Sequence, residues 1–579
     1  MTRTKPPASQ SAVACATVPE AFQRTVGLHA DRPALRTLGD RMCLTWRQLD
    51  QHVRLVAAGL AGIGIGHGDR VAIMLPNSPE CHIVDYAAVH LGAVPFTIFN
   101  SSARDQIAHQ LGNAGARIVV TSVEFLPRVA AAVAALGTQI NQVITVDDGV
   151  GAGATIGWND LLAAGDPHFD IDAAWNAVSA DDVAAIIYTS GTSGPPKGAL
   201  WSHRTVMANI RALDSALPMP TESMVSFLPM AHAGGRITVH YIALAYGAAI
   251  TACPDMKSLP AHLVDARPDA FIATPRFWEK IKVTLEALTS GDPAALAALA
   301  QPQPAGGCAI PDAVRPHLHR VGLDRLKVGF VGGAPSSSEV IGFFRAAGVP
   351  LLEAYGSTET ALNIFNRVED YRPGTVGTPL PGVEVRLLDD GELLCRSEFN
   401  MVGYSNDPQG TAEKIDADGW LHTGDIAEID KDGFVTITDR KKDIIITSSG
   451  KNLSPANIER AIAAETSLIG HVVVIGDRRP YITALFSLDP EAAHGFAAEH
   501  GLAGQSHAEV ASSRQVREHL QAAIDRASER LSSPERVRRF VVLPEAWQPD
   551  TDELTPTAKL KRKAINQKYA QTIELLYQD

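Results

Sequence analysis

At 579 residues the chain exceeds one ordinary domain and implies about three to five folding units. With 45% apolar and 20% charged residues it has material for large cores, and global disorder is excluded. A formal net charge of −13 argues against a broad nucleic-acid or membrane-surface binder, so an anionic ligand must be met by local donors.

Residues 1–20 read as a loose arm. Residues 1–17 lack a long apolar core, so no signal peptide is expected, and no apolar run is long enough to span a bilayer. Six cysteines are scattered without a CxxC pair, which disfavours metal clusters and disulfides and fits a reducing compartment. The location expected is cytoplasmic, with peripheral membrane association as an alternative. From Leu44-Thr45-Trp46 onward, strand and helix signals alternate. Residues 53–60 and 83–91 read as helices, the second closed by Gly92; 71–75, 94–98 and 118–120 read as buried strands. Apolar strands separated by helices imply a largely parallel sheet with helical cover. Residues 149–180, rich in Gly, Ala and Asp, read as a connector.

A second alternating block starts with the apolar run 183–187. It leads into Tyr188-Thr189-Ser190-Gly191-Thr192-Ser193-Gly194-Pro195-Pro196-Lys197-Gly198, and Ser202-His203-Arg204 looks like a helix start. Strand, loop and helix in that order form a phosphate cradle: glycines admit anionic oxygens to the backbone N–H groups, and hydroxyls and a lysine add donors and charge. Without GK[ST] it is not a Walker A loop, and such a cluster also serves as a plain linker. Residues 223–228 read as a strand entering Pro229-Met230-Ala231-His232; His232 is either a site residue at a strand end or a satisfied buried histidine. A strand at 270–274 and a helix at 277–288 follow, then a Pro/Gly/Ala-rich surface insertion at 292–304. Residues 326–331 run into Gly332-Gly333-Ala334-Pro335, and 351–354 into Tyr355-Gly356-Ser357-Thr358-Glu359-Thr360. In that last loop an aromatic offers a surface for a base, a hydroxyl reaches a phosphate, and a carboxylate suits Mg²⁺.

From Gly374 short alternating segments, 383–387 and 391–395, suggest an antiparallel β unit. In Gly419-Trp420-Leu421-His422-Thr423-Gly424-Asp425 a carboxylate after a glycine turn suits ribose hydroxyls, although a turn aspartate is common. The charged break Thr438-Asp439-Arg440-Lys441-Lys442-Asp443 sits where another domain would begin. Ser448-Ser449-Gly450-Lys451-Asn452-Leu453-Ser454-Pro455 precedes a helix at 456–464. Strands at 471–475 and 482–488 and a helix at 515–531 complete a small α/β domain before the basic tail Leu554-Thr555-Pro556-Thr557-Ala558-Lys559-Leu560-Lys561-Arg562-Lys563.

These ordered motifs resemble the adenylate-forming superfamily, and the wording SSGKNLSP and LTPTAKLKR is nearest its long-chain fatty acyl-CoA synthetases. The resemblance implies an α/β fold: residues 1–439 as two packed α/β subdomains plus a small β unit, and residues 440–579 as a small mobile α+β domain. It implies ATP-dependent conversion of a medium- or long-chain fatty acid to acyl-AMP and then acyl-CoA, with Mg²⁺ as cofactor and coenzyme A as co-substrate. Thr189, Ser190, Gly191, Thr192, Ser193, Gly194 and Lys197 would hold phosphates. Gly333, Ala334, Pro335, Tyr355 and Gly356 would pack on adenine, Thr358 would take the α-phosphate and Glu359 Mg²⁺. Asp425 would bind ribose and Arg440 ribose or phosphate, His232 would line the acyl pocket, and Lys442 would be the hinge. Gly450 and Lys451 would face the CoA thiol arm, and Lys559, with Lys561 as runner-up, would be the mobile catalytic lysine. Relatives often carry glycine where this chain has Ala558. The alternatives are a ligase loading an acyl carrier protein, an aryl- or amino-acid adenylating enzyme, and an inactive nucleotide-binding scaffold. A homodimer is one option for its assembly.

Overall fold

Strands that must be apolar on both faces because helices cover both build the first layer. In the computed structural model, which describes residues 11–137, 140–147, 155–189, 195–218, 221–301, 309–334, 336–448, 451–548, 551–555 and 558–578, a five-stranded sheet runs in the order Val94–Thr97, Arg70–Met74, Ala116–Thr121, Gln142–Thr145, Thr155–Gly157, all parallel. Ala72, Ile73, Val119 and Val120 are fully buried in it. Helices Pro79–His90, Arg104–Ala114 and Leu126–Leu136 pack against it.

The connector expected at 149–180 is instead structural where it is described. Thr155–Gly157 is the sheet's fifth strand, and helices Trp158–Ala163 and Ile171–Asn176 follow. Small residues conceal this in the sequence because they are there for close approach. A Cβ on Gly165 would stand 3.0 Å from the Gly59 nitrogen of the helix Trp46–Gly62, and Gly59 and Gly62 in turn lie so near the Leu161 and Ala164 carbonyls that a Cβ at either would collide. The loose arm is likewise corrected over 11–20. Helix Val18–His29 starts there, with the Thr17 hydroxyl accepting from Glu20 N–H at 3.3 Å and the Glu20 carboxylate accepting from Ala16 N–H at 2.8 Å. Val13, Cys15, Val18 and Phe22 are buried beneath it.

The second layer is the sheet Ala270–Ala273, Val328–Gly332, Leu351–Ser357, parallel, extended by the antiparallel Ala361–Phe365 and Thr378–Pro379. The segment expected as a mobile insertion at 292–304 carries a helix, Pro293–Leu299, whose first turn is capped by Asp292 accepting from Ala294 and Ala295 N–H at 3.1 Å. A four-stranded antiparallel unit, Glu384–Leu387, Glu392–Arg396, Leu421–Ile429 and Val435–Arg440, stands where the alternating pattern put it.

The smaller C-terminal domain has its own core. Strands Ile469–Ile475, Ile482–Leu488 and Val537–Val542 bury Val472, Ala484 and Phe486 against helices Pro455–Ala463 and Arg514–Ser528. The opposite face, with Val473 and Leu485, holds the tail residues Leu554 and Ile565. Ion pairs cross to the large domain: Arg276 on helix Pro275–Thr289 binds Asp489, and Lys280 binds Glu491 at 2.9 Å. Among the described residues no helix is long and apolar enough to cross a membrane.

Candidate active site

The glycine-rich loop does not join a strand to a helix. Gly198–Ser202 is a strand that turns back on Val183–Tyr188, with Tyr188 opposite Gly198. Helix His203–Ala216 starts only afterwards, capped by the Ser202 hydroxyl accepting from Thr205 N–H. The loop therefore joins two antiparallel strands, and the helix begins only after the second of them. Its base is closed by Thr189: the Thr189 N–H donates to the Lys197 carbonyl at 2.9 Å and the Thr189 hydroxyl accepts from Lys197 N–H at 3.3 Å. Ser190, Gly191, Thr192, Ser193 and Gly194 lie outside the described residues, as do Pro335 and Gly450.

Tyr355 to Thr360 is also a hairpin rather than a loop, since Ala361–Phe365 pairs antiparallel with Leu351–Ser357. Gly356 is required by this, because a Cβ there would strike the Ala361 carbonyl across the turn. The Thr358 carbonyl accepts from the Trp201 indole N–H at 2.8 Å, tying the two hairpins together. Glu359 is half-buried. Burial pushes its pKa up, but the Lys414 charge and hydrogen bonds from the Tyr404 and Ser357 hydroxyls outweigh this and hold the carboxyl below its usual range. The Tyr404 hydroxyl donates to Glu359 Oε1 at 2.7 Å.

Asp425 lies within the strand Leu421–Ile429, opposite Arg440, not on a free turn. Gly424, with φ +77°, supplies the local kink that aims it. The Tyr355 hydroxyl donates to Asp425 Oδ2 at 2.6 Å, and Arg440 Nε stands 3.3 Å from Asp425 Oδ1. Burial foremost, then the Asp425 charge, drives the Tyr355 pKa far up, so this phenol stays a donor.

Lys559 comes to the same place from the tail. Its turn is closed by Thr555, whose hydroxyl accepts from Lys559 N–H at 3.0 Å, and Ala558 takes φ +59°, the left-handed region where glycine costs less. A Cβ on Gly333 would be 4.0 Å from Lys559 Cε. Desolvation first, then Arg440, push the Lys559 ammonium down to about 8, with Asp425 and Glu359 acting the other way. His232 is pushed down to about 3 by burial and by Lys559, so its imidazole is neutral, and Nδ1 accepts from Gly234 N–H at 3.0 Å. The His232 loop is held from behind by a buried guanidinium: Arg236 donates through Nε to the Met230 carbonyl at 3.1 Å and pairs with Asp85 at 2.6 Å. Beside the loop a cavity of about 300 Å³ is lined by Leu75, Thr97, Phe99, Phe227, Met230 and Ala231.

The family model "AMP-binding enzyme" matches residues 22–405, and "AMP-binding enzyme C-terminal domain" matches residues 442–579. The chain belongs to the AMP-binding enzyme family. This AMP-binding enzyme is 38% identical over 453 residues to the putative fatty-acid–CoA ligase fadD11 of Mycobacterium tuberculosis, covering 74% of this chain and 79% of that one. It is 33% identical over 561 residues to the long-chain-fatty-acid–CoA ligase FadD15 of Mycobacterium bovis, covering 92% of each. Its fold matches the A domain of the Segniliparus rugosus carboxylic acid reductase, solved with AMP and a co-purified carboxylic acid, at TM-score 0.79 and 21% identity over 98% of this chain and 95% of that one. The anthranilate CoA ligase AuaEII, solved with anthranoyl-AMP, matches at TM-score 0.76 and 20% identity over 96% and 98%.

In this AMP-binding enzyme, then, Gly333, Tyr355, Glu359, Asp425, Arg440, Lys559 and His232 converge from segments hundreds of residues apart. Ala334 follows Gly333 at the exposed end of its strand. Lys442, two residues past Arg440, has its pKa lowered by burial and then by Arg440. Lys451 is exposed on the small domain, and its N–H donates to the Thr447 hydroxyl at 3.1 Å, not to this cluster. Sequence reading missed Tyr404, Asp407 and Lys414. The Asp407-Pro408 pair is a helix-start signal that marks the segment but not its place beside the hairpin.

Proposed function

We propose that this AMP-binding enzyme activates a medium- or long-chain fatty acid with ATP and passes the acyl group to coenzyme A. The observation that carries this reading is Lys559, brought from the tail to Gly333 and into electrostatic reach of Asp425, Glu359 and His232. The fatty-acid ligase names of its relatives, at 33–38% identity, support the substrate class.

A carboxylate acylates poorly because oxide is its leaving group. In the first step a carboxylate oxygen attacks the ATP α-phosphorus and pyrophosphate departs. Catalysis of such a displacement is mostly positioning and charge stabilisation. Lys559 as ammonium neutralises the carboxylate and α-phosphate oxygens, and Thr358 donates to the α-phosphate. Tyr355, Gly333 and Ala334 pack on the base, and Asp425 with Arg440 orients the ribose. Thr189, Lys197 and the intervening loop receive the outer phosphates. Neutral His232 borders the reacting carboxylate without adding a competing charge.

Among the described residues no set of three or more His, Cys, Asp or Glu side chains is grouped to hold a metal alone. The anionic Glu359 oxygen suits Mg²⁺, which takes one or two carboxylates and completes its shell with phosphate oxygens and water; such an ion supplies charge neutralisation at the outer phosphates. In the second step the CoA sulfur attacks the acyl carbonyl, its proton is lost and AMP leaves. Rotation of a domain spanning residues 440–579 about Lys442 would withdraw Lys559 and bring Gly450 and Lys451 towards the acyl group, a common way of presenting two half-sites in turn.

Lys559→Ala decides the assignment. Fatty-acid-dependent pyrophosphate exchange should fall by at least about a hundredfold, while thioester formation from supplied acyl-AMP persists. Normal exchange in that variant would remove Lys559 from its role. Running a fatty-acid length series with ATP, in the presence of CoA or of a carrier protein, identifies acid and acceptor together.

A further inference from the structure

Strand Gly403–Tyr404 pairs antiparallel with Gly198–Ser202, Tyr404 opposite Ala199, and the Ser405 N–H donates to the Gly198 carbonyl at 2.7 Å. That pairing sets the following turn beside Lys197. Tyr404 serves two partners there. Its hydroxyl holds Glu359 Oε1 at 2.7 Å, and its ring lies 5.0 Å from the Lys197 ammonium. Asp407 Oδ2 takes the same ammonium at 2.8 Å, while Asp407 Oδ1 accepts from Gly410 N–H at 2.8 Å and so caps helix Pro408–Lys414. Gly410 leaves space for the pair, since a Cβ there would collide with both the Asp407 carboxylate and the Lys197 ammonium.

A lysine at the mouth of a phosphate hairpin is thus neutralised by a carboxylate. Bound phosphate and Asp407 cannot both stand at hydrogen-bonding distance from one ammonium without bringing two anions together. We infer that Tyr404 and Asp407 are positioning residues for the outer phosphates of ATP: Tyr404 fixes the Glu359 carboxylate, and Asp407 is a latch that parks Lys197 on the Tyr404 ring and yields it to phosphate. The inference rests on the reading of this protein as an ATP-dependent acid activator. It assigns a sign that a merely structural role does not have. The latch competes with the nucleotide, so releasing it strengthens binding.

Asp407→Asn tests this, because asparagine caps a helix as well as aspartate does and only the charge is lost. Calorimetric titration with a non-hydrolysable ATP analogue and Mg²⁺ should show binding tighter by about two- to fivefold, the range of a partly exposed ion pair. AMP, which lacks the outer phosphates, should bind as to the wild type. Asp407→Ser, another good cap, should give the same sign, and the gain should vanish in a Lys197→Ala background. Tyr404→Phe keeps the ring and loses the hydroxyl; the Mg²⁺ concentration for half-maximal analogue binding should rise about tenfold, again with AMP binding unchanged. Weaker or unaltered analogue binding in Asp407→Asn, a gain that survives Lys197→Ala, or an unchanged Mg²⁺ requirement in Tyr404→Phe overturns the inference. Wild-type protein that binds no analogue at all overturns instead the reading on which it rests.

Discussion

Lys559 is an ammonium that the fold discharges more easily than water does. Desolvation and the nearby Arg440 guanidinium bring its pKa down to about 8. Below that value it carries the positive charge that the proposed first step uses; above it the charge is lost. The dependence of kcat/KM on pH reports the free enzyme, so kcat/KM for ATP in pyrophosphate exchange should be flat below pH 8 and fall as pH rises through that value. With nucleotide bound, added phosphate charge favours the ammonium, so the same limb in kcat should lie at higher pH. Lys559→Arg, whose guanidinium stays protonated throughout, should run slower but lose the alkaline limb. An unchanged limb in that variant would assign the titration to another group. Ala558 next to it shows the same turn from the backbone side: a residue with a Cβ occupies φ +59°, at a cost of the order of 1 kcal/mol, because the turn must present its neighbour.

Among the elements, helix Pro275–Thr289 clasps the two domains. Arg276 reaches Asp489, which itself caps helix Pro490–Glu499, and also donates to the Gly470 carbonyl at 3.0 Å. Asp489 is buried, so removing its partner leaves a carboxylate poorly compensated, at about 1–3 kcal/mol. That cost falls on the orientation that delivers Lys559 and not on either domain's core. Arg276→Met should therefore slow pyrophosphate exchange by about tenfold, one decade per 1.4 kcal/mol, and leave thioester formation from acyl-AMP at least as fast. Equal losses in both half-reactions would show that the clasp supports stability rather than orientation. Elements of this kind were partly legible in the sequence. The continuous apolar run 71–75 identified a strand because burial on both faces leaves no other pattern, and 482–488 did so although it carries the buried Thr483 and Ser487. Gly198-Ala199-Leu200-Trp201-Ser202 was not seen as a strand, because five residues between a glycine-rich loop and a helix cap show no full period. Tyr404 and Asp407 stayed hidden for a different reason: only the pairing of residues 403–404 with 199–200, two hundred positions away, gives them a site to serve.

For the molecule as a whole, the net charge of −13 and the anionic ligand proposed for it are reconciled by local placement: Lys197 lies by Tyr404, Lys414 by Glu359, and Arg440 and Lys559 by Asp425. The two domains keep separate cores and meet through ion pairs and that lysine. Each should therefore unfold as its own cooperative unit, and ligand-free protein in a calorimeter should show two transitions. A ligand that binds only the native state adds stability of about 2.7 kcal/mol at one hundred times its Kd. On the proposed reading a non-hydrolysable acyl-AMP analogue touches the large domain through Tyr355 and Asp425 and the small one through Arg440 and Lys559. It should raise both transitions and draw them together. In Lys559→Ala the analogue should still raise the large domain's transition but raise the small domain's by less than in wild type, because of the two small-domain contacts only that of Arg440 then remains. If the analogue raises both transitions equally in wild type and variant, coupling runs through the Arg276 clasp and not through the lysine, and Arg276→Met in the same experiment separates the two routes.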